Sequence, residues 1–318
     1  MKKPPIQISM ALKSFEAEAP ADGWSHLFAW ARAADEAGMD RLVVSDHVVF
    51  GERLDEYGKP ELGGSVGGKQ PTGPDGHWLD PLTTLSVVAG MTKRVRLGTN
   101  ILIAALRRPV TLAKTAATLD VLSGGRLDLG VGVGWQREEY EAAGLQFDGR
   151  GKLLNHSLEV CQLLWREQRA SYDSPLLKFS AIHQMPKPAQ AGGVPIWVSG
   201  TINKSTMDRL ARFGSAWIPW GPDAADLVNS IPRMRDELAK RGRDGKELQV
   251  VGHMPMVKTA SGDIDIARTM EKLPALAAAG VTDFRTTLSL PNDQAAVAEK
   301  LRPIVKAFRA AMGLPALA

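Results

Sequence analysis

A closed (β/α)8 barrel is the fold this chain predicts, and three observations predict it. Short apolar segments alternate with helical patterns about eight times along 318 residues, and such alternation builds a parallel sheet with helices outside it. Eight units favour closure over an open doubly wound sheet. No boundary is rich enough in Pro, Gly or Ser to divide two domains. The expectation is one α/β domain over 1–318, a TIM barrel with inserted loops at its C-terminal face.

The elements follow in order. Ile6 to Leu12 is the first strand. Trp24, Leu27, Phe28, Ala31 and Ala34 mark the first helix, which Gly38 ends. Arg41 to Ser45 is the second strand, and Asp80 caps a helix beginning at Pro81. Val95 to Ile101 is the third. Pro109 opens the next helix, where Leu112, Ala116, Leu119 and Leu122 recur at helical spacing and Ser123-Gly124-Gly125 stops it. Arg126 to Val131 is short, mostly apolar and bounded by glycine, as a strand covered on both faces should be. Gly130, Gly132 and Gly134 alternate with valines. One face of this strand end therefore lacks side chains, which predicts that something large and flat approaches the backbone.

A helical pattern over Leu153 to Trp165 comes next, with Cys161 on its apolar face as a buried core thiol. Pro195 to Ser199 is a strand and Lys204 to Phe213 a helix. Ala216 to Pro219, Leu248 to Val257 and Asp283 to Thr287 are later strands, with helices near 223–241, 263–279 and after 292. Pro274 and Pro303 interrupt two helical patterns and predict kinks or splits. Two inserts stand out. Residues 48–79 are too glycine-rich to carry a core and follow the second strand, which makes them the substrate-lid candidate; residues 167–193 precede the fifth.

Composition narrows the function classes. With 44% apolar residues the chain can bury a substantial core, and its single cysteine excludes an internal disulfide. The net charge of +4 is scattered among acids without a basic stripe, which argues against nucleic acid while leaving room for a mildly basic cofactor mouth. No apolar run approaches the ~20 residues that cross a bilayer. The basic N-terminus is followed by an apolar run too short for a signal peptide, so a cytoplasmic protein is expected. His26, His77, His156, His183 and His253 form no metal-ligand spacing, and no metal is expected.

A few residues could carry chemistry. Asp46 and His47 end the second strand, and histidine exchanges protons best near neutral pH; a core histidine capped by a carbonyl is the plain alternative. Ser199-Gly200-Thr201 precedes a helix starting near Asn203. Free N–H groups, two hydroxyls and a helix N-terminus suit a phosphate there, although the same motif serves ordinary connections. Trp135 either walls a substrate cavity or packs on the next helix, and Trp220 ends a strand at the same mouth. Glu138 and Glu139 read as solvated or helix-capping side chains, and Arg107 or Arg108 as a local partner of its loop.

The run LSGGR-LGVG-GW, with Ser45-Asp46-His47 and Leu97 to Ile101, resembles the luciferase-like monooxygenase superfamily, closest to its branch of coenzyme F-420-dependent oxidoreductases. The resemblance spans about residues 5–290. It implies a flavin or deazaflavin at the open end of the barrel, His47 assisting proton transfer and Asp46 against the cofactor. It also implies a non-proline cis peptide between Asn100 and Ile101 that props the ring, Gly132, Val133, Gly134 and Trp135 beside it, and Ser199, Gly200 and Thr201 on its phosphate. Sugar-phosphate dehydrogenases of the superfamily have a glutamate acid where this chain has Trp135, which argues against a sugar phosphate.

The leading expectation is hydride transfer between F-420 and a small organic substrate. The alternative is an FMN-dependent monooxygenase fed by a separate flavin reductase, and the third reading is a cofactor-binding protein without turnover. A homodimer is expected from the resemblance. Substrate selection is expected in 48–79, in 167–193 and around Trp135.

Overall fold

The computed structural model describes residues 4–64 and 66–316. Eight parallel strands close a barrel: β1 (Gln7–Ala11), β2 (Arg41–Val44), β3 (Arg96–Thr99), β4 (Leu127–Val131), β5 (Ile196–Gly200), β6 (Gly214–Pro219), β7 (Gln249–His253) and β8 (Asp283–Thr286). Each pairs with its neighbours in sequence, and β8 returns to β1 with Gln7 opposite Asp283. The register sets Val44 beside Thr99 and Val131 beside Val198, so these strand ends reach one face together. Helices surround the sheet. The first, Ser25–Ala37, packs on the last, Gln294–Ala311, and Leu27, Trp30, Leu301 and Phe308 are buried. No helix among the described residues is long and apolar enough to cross a membrane.

Local signals act as their chemistry requires. The Asp80 carboxylate accepts from the Thr83 N–H at 2.9 Å, and Pro81 opens the helix. Gly38 ends the first helix at φ 87°, a left-handed position that costs glycine little. Pro274 splits its pattern into Ile266–Glu271 and Leu273–Ala279. Pro303, by contrast, does not divide Gln294–Ala311. It lies on the exposed side of that helix with Glu299, whose carbonyl loses the Pro303 N–H and can be hydrated instead. The expected strand over Leu248 to Val257 stops at His253, because Pro255 has no N–H to continue the ladder. Cys161 is buried, as expected, and burial pushes its thiol pKa up.

The two inserts take different places on the barrel. Residues 48–79 follow β2 and hold two short helical turns, Leu54–Gly58 and Pro60–Leu62. The two-residue strand His77–Trp78 then pairs with Phe15–Glu16. Residues 167–193 connect a helix to β5 and carry a hairpin, Ala170–Ser174 with Leu177–Ile182. Gln190 at its end bonds Arg96 and the Leu127 carbonyl, which begin β3 and β4. The insert runs along the outside of the barrel, from Val110, whose carbonyl accepts from Gln184 Nε2 at 3.0 Å, to these N-terminal strand ends. None of its residues lines the cavity at the C-terminal face, which corrects the expectation that it selects substrate.

The barrel interior is charged at its centre. Arg41 bonds Asp128 and Asp283, and its guanidinium lies 4.1 Å from the Trp197 ring centroid. Arg96 holds Asp128 through two bonds of 2.7 Å, and Arg285 shares Asp283, which also accepts from Ser9 Oγ at 2.5 Å. Burial opposes the Arg41 charge, but the two aspartates outweigh it and its pKa is raised. Burial wins at Arg285, whose pKa is lowered.

Candidate active site

The C-terminal strand ends open into one cavity of about 920 Å³. Beyond β2, Ser45, Asp46 and His47 form part of its wall. The Asp46 carboxylate accepts from Arg107 Nη1 at 2.5 Å and Nη2 at 2.9 Å, and from the Ile103 N–H at 2.8 Å. Burial raises its pKa against the pull of Arg107. Arg107 continues to Asp80 at 3.0 Å and so ties the end of β2 to the next helix start. The Asp46 carboxylate, expected against a cofactor, lines the cavity, and these bonds from protein donors tie it to the loop after β3.

That loop carries the cis peptide between Asn100 and Ile101. The Asn100 N–H donates to the Val44 carbonyl at 2.8 Å, while Asn100 Oδ1 accepts from Arg285 Nη1 at 2.7 Å. Leu102 N–H donates to Gly130 O at 2.8 Å, and Gly132 N–H returns to Leu102 O at 3.1 Å. This close approach explains the glycine row. A Cβ on Gly130 would overlap the Thr99 carbonyl, one on Gly132 would lie 2.8 Å from Ile101, and one on Gly134 3.2 Å from Ile103. The flat object pressed against the glycines is the chain's own segment 99–103, which corrects the reading that they leave a bare face for a ligand. Gly132, Val133 and Gly134 still line the cavity, beside Asn100 and Ile101.

His47 is held in an aromatic box. Its ring centroid lies 4.4 Å from Phe50, 4.8 Å from Trp78 and 6.0 Å from Trp135. Its Nδ1 is buried and 3.3 Å from Glu139 Oε1, which accepts the Val48 N–H at 2.8 Å. Trp135 does both things open to it in sequence: it lines the cavity and packs on protein, with Tyr57 at 5.5 Å. Tyr57 also faces Trp220 at 6.3 Å, and Trp220 Nε1 donates to Gly64 O at 2.9 Å. The 48–79 insert is therefore an outer wall of the cavity. Gly51 N–H to Gln136 Oε1 (2.7 Å) and Arg53 Nε to Glu138 Oε1 (2.7 Å) fasten it further.

At the other end, Ser199, Gly200 and Thr201 line the cavity. Gly200 has φ 145°, and a Cβ there would lie 2.8 Å from Thr206 Oγ1. Two of the N–H groups that would serve an anion are already used: Ile202 donates to Asp223 at 2.7 Å and Thr206 to Asn203 at 2.9 Å. The positive charge comes from elsewhere. Arg209 bonds Asn155 Oδ1 at 2.7 Å and the Gly151 carbonyl at 3.0 Å; Arg150 bonds the Leu62 carbonyl at 2.9 Å and lies 3.8 Å from the Phe147 ring centroid. Neither forms a salt bridge among the described residues; Asp148 acts on Arg150 only from farther away. Burial lowers both pKa values, that of Arg209 to about 10. Both line the cavity and give that part of its wall positive charge.

The floor adds His253 and Arg285. His253 is exposed, yet desolvation by the surrounding protein together with Arg285 pushes its pKa below the ordinary value. Sequence reasoning missed Glu139, Arg150, Arg209, Tyr57 and Arg285 as site residues. His77, exposed in the insert, does not line the cavity.

A family model for luciferase-like monooxygenases matches residues 8–309. The chain is 30% identical over 306 residues to an F-420-dependent glucose-6-phosphate dehydrogenase of Nakamurella multipartita, covering 94% of this chain and 78% of that relative. It is 32% identical over 225 residues to an uncharacterised Mycobacterium tuberculosis protein, covering 70% and 75% respectively. Among solved structures, an F-420-dependent secondary alcohol dehydrogenase in complex with an F-420–acetone adduct superposes with a TM-score of 0.72 at 17% identity, covering 96% of this chain and 99% of its own. The oxygenating constituent of 3,6-diketocamphane monooxygenase from Pseudomonas putida, in complex with FMN, gives 0.73 at 15% identity, covering 98% and 100%. The chain belongs to the luciferase-like monooxygenase family of oxidoreductase enzymes.

Proposed function

We propose that this protein transfers a hydride between coenzyme F-420 and a small organic substrate. One observation carries the reading: a single cavity is lined by a boxed histidine, the Asn100–Ile101 cis peptide and two arginines that form no salt bridge among the described residues. A flat ring fits against the cis peptide, and an anionic tail fits the arginines. The F-420-dependent relative from Nakamurella multipartita supports the deazaflavin over FMN.

Asn100 and Ile101 would back the ring, with Gly132, Val133 and Gly134 beside them. Ser199, Gly200, Thr201, Arg150 and Arg209 would hold the phosphate. When bound, the coenzyme supplies two-electron chemistry as a hydride donor or acceptor. The residues do the rest. His47 gives or takes the accompanying proton at Nε2, the ring nitrogen left open once Nδ1 is buried against Glu139. Trp78, Phe50 and Trp135 fix the imidazole plane, and Tyr57, Trp135 and Trp220 keep water from that end of the cavity.

The test is a fluorescence titration of the purified protein with oxidised F-420 and, in parallel, with FMN. Micromolar or tighter binding of F-420 with FMN ignored is the expected result. The reverse preference overturns the reading and points to oxygen-dependent chemistry with a separate reductase. A second outcome follows from the arginines. Arg209→Leu is expected to weaken F-420 binding by about 10–100-fold, the worth of one charge-assisted hydrogen bond in a desolvated site. An unchanged Kd would place the phosphate elsewhere.

A further inference from the structure

We propose that Glu139 is the positioning residue of His47: its carboxyl group holds the proton of the imidazole on Nδ1 and so leaves Nε2 as the nitrogen that exchanges protons with the cavity. The inference rests on the reading of His47 as the proton carrier, and concerns which ring nitrogen does the work.

The geometry is specific. Glu139 lies on a short helix, Arg137–Ala142, that follows β4, and its side chain is fully buried. Oε1 accepts the Val48 N–H at 2.8 Å, which places the carboxyl group beside the residue after His47. His47 Nδ1 then lies 3.3 Å from Oε1, with only 9% of the histidine side chain exposed. Both Nδ1 and Glu139 Oε2 are buried without any other hydrogen-bond partner among the described residues. A buried polar atom without a partner is costly, and each of these can satisfy the other through a small rotation of either side chain.

The surroundings leave Nδ1 no competing partner. Phe50, Trp78 and Trp135 lie around the ring, and none of these side chains carries a hydrogen-bond acceptor for Nδ1–H. Asp46, the neighbouring carboxylate, is saturated by Arg107 and the Ile103 N–H. Glu138, one residue away, is turned outward to Arg53 at 2.7 Å. The tautomer of a neutral imidazole is set by the hydrogen bond its other nitrogen makes. With Nδ1–H donated to Glu139, Nε2 carries a lone pair when the ring is neutral and a transferable proton when it is charged. A ring with the opposite tautomer would bury its lone pair against a carboxyl group and would have no basic nitrogen facing the cavity.

The experiment reads the tautomer directly, in protein free of cofactor. Nitrogen-15 NMR of the imidazole distinguishes an N–H nitrogen from a lone-pair nitrogen, and the His47 signals are identified by their loss in His47→Gln. At a pH where the ring is neutral, the wild type is expected to carry its proton on Nδ1. Glu139→Gln retains an accepting oxygen and is expected to keep that tautomer. Glu139→Leu has no acceptor and is expected to move the proton to Nε2, with kcat reduced by about 10²-fold and KM within threefold. Its loss should not exceed that of His47→Gln, and the double variant should be no worse than His47→Gln alone, because both changes disable one unit.

A wild-type spectrum with the proton on Nε2 overturns the proposal, as does a Glu139→Leu spectrum identical to wild type. Because the tautomer is read without cofactor or substrate, failure of the F-420 titration leaves this test intact. A role for Glu139 confined to holding the Val48 backbone would lower stability without changing the tautomer.

Discussion

His47→Gln is expected to lower kcat by about 10²–10⁴-fold, the usual contribution of a positioned acid–base group, while F-420 binds within threefold of wild type. The separation follows from where the ring sits. His47 is boxed by Phe50, Trp78 and Trp135 beyond β2, whereas Ser199, Gly200, Thr201 and Arg209 line the cavity from β5 and the helix Lys204–Phe213. Glutamine fills similar space and keeps the box closed, so binding of the anionic tail should not register the change. Two other cavity groups, His253 and Tyr57, could carry the proton, but the charged form of each is scarcer near neutral pH. Desolvation and Arg285 push the His253 pKa below its ordinary value, which keeps that ring neutral there. Burial raises the Tyr57 pKa, which keeps its hydroxyl protonated. Single-turnover kinetics on preloaded protein would measure the step without product release. A rate within threefold of wild type, with a loss on His253→Gln instead, would move the proton carrier to β7.

The parts of this structure legible in sequence are those set by neighbours along the chain. Asp80 before Pro81, Gly38 after the first helix and Pro274 inside a helical pattern each act within a few residues, and each appears where expected. Strand positions were legible for the same reason, since apolar runs bounded by turns mark a buried parallel sheet. What could not be read depends on residues far apart in sequence. Glu139 follows another glutamate in the first turn of a short helix, where an acid is favourable simply by complementing the helix dipole. Only the fold brings it to His47. Arg150 and Arg209 look like ordinary helix residues until the structure shows that neither forms a salt bridge among the described residues and that both line the cavity. The glycines of β4 marked a close approach correctly, yet what approaches is segment 99–103, which sequence order alone cannot reveal.

The interior charges give the largest expected effect on stability. Asp283→Ala is expected to cost about 3–5 kcal/mol, because breaking a buried ion pair strands its partner in a medium that solvates charge poorly. Asp283 is fully buried and serves Arg41, Arg285 and Ser9 at once. Without it Arg41 still has Asp128, but Arg285 is left with neutral partners, the Asn100 amide oxygen at 2.7 Å and Ser9 Oγ at 3.3 Å. Burial already holds the Arg285 pKa below its ordinary value, so removal of the carboxylate adds to an existing penalty. The cost is thus assigned to the stranded guanidinium rather than to a lost attraction. That assignment has a consequence: Asp283→Ala combined with Arg285→Met should be more stable than Asp283→Ala alone, although it removes two interactions instead of one. Urea unfolding midpoints of the wild type, both single variants and the double variant would decide it. Additive losses would mean that the network stabilises the barrel through its contacts, and that the charge on Arg285 is relieved by water entering from the cavity above.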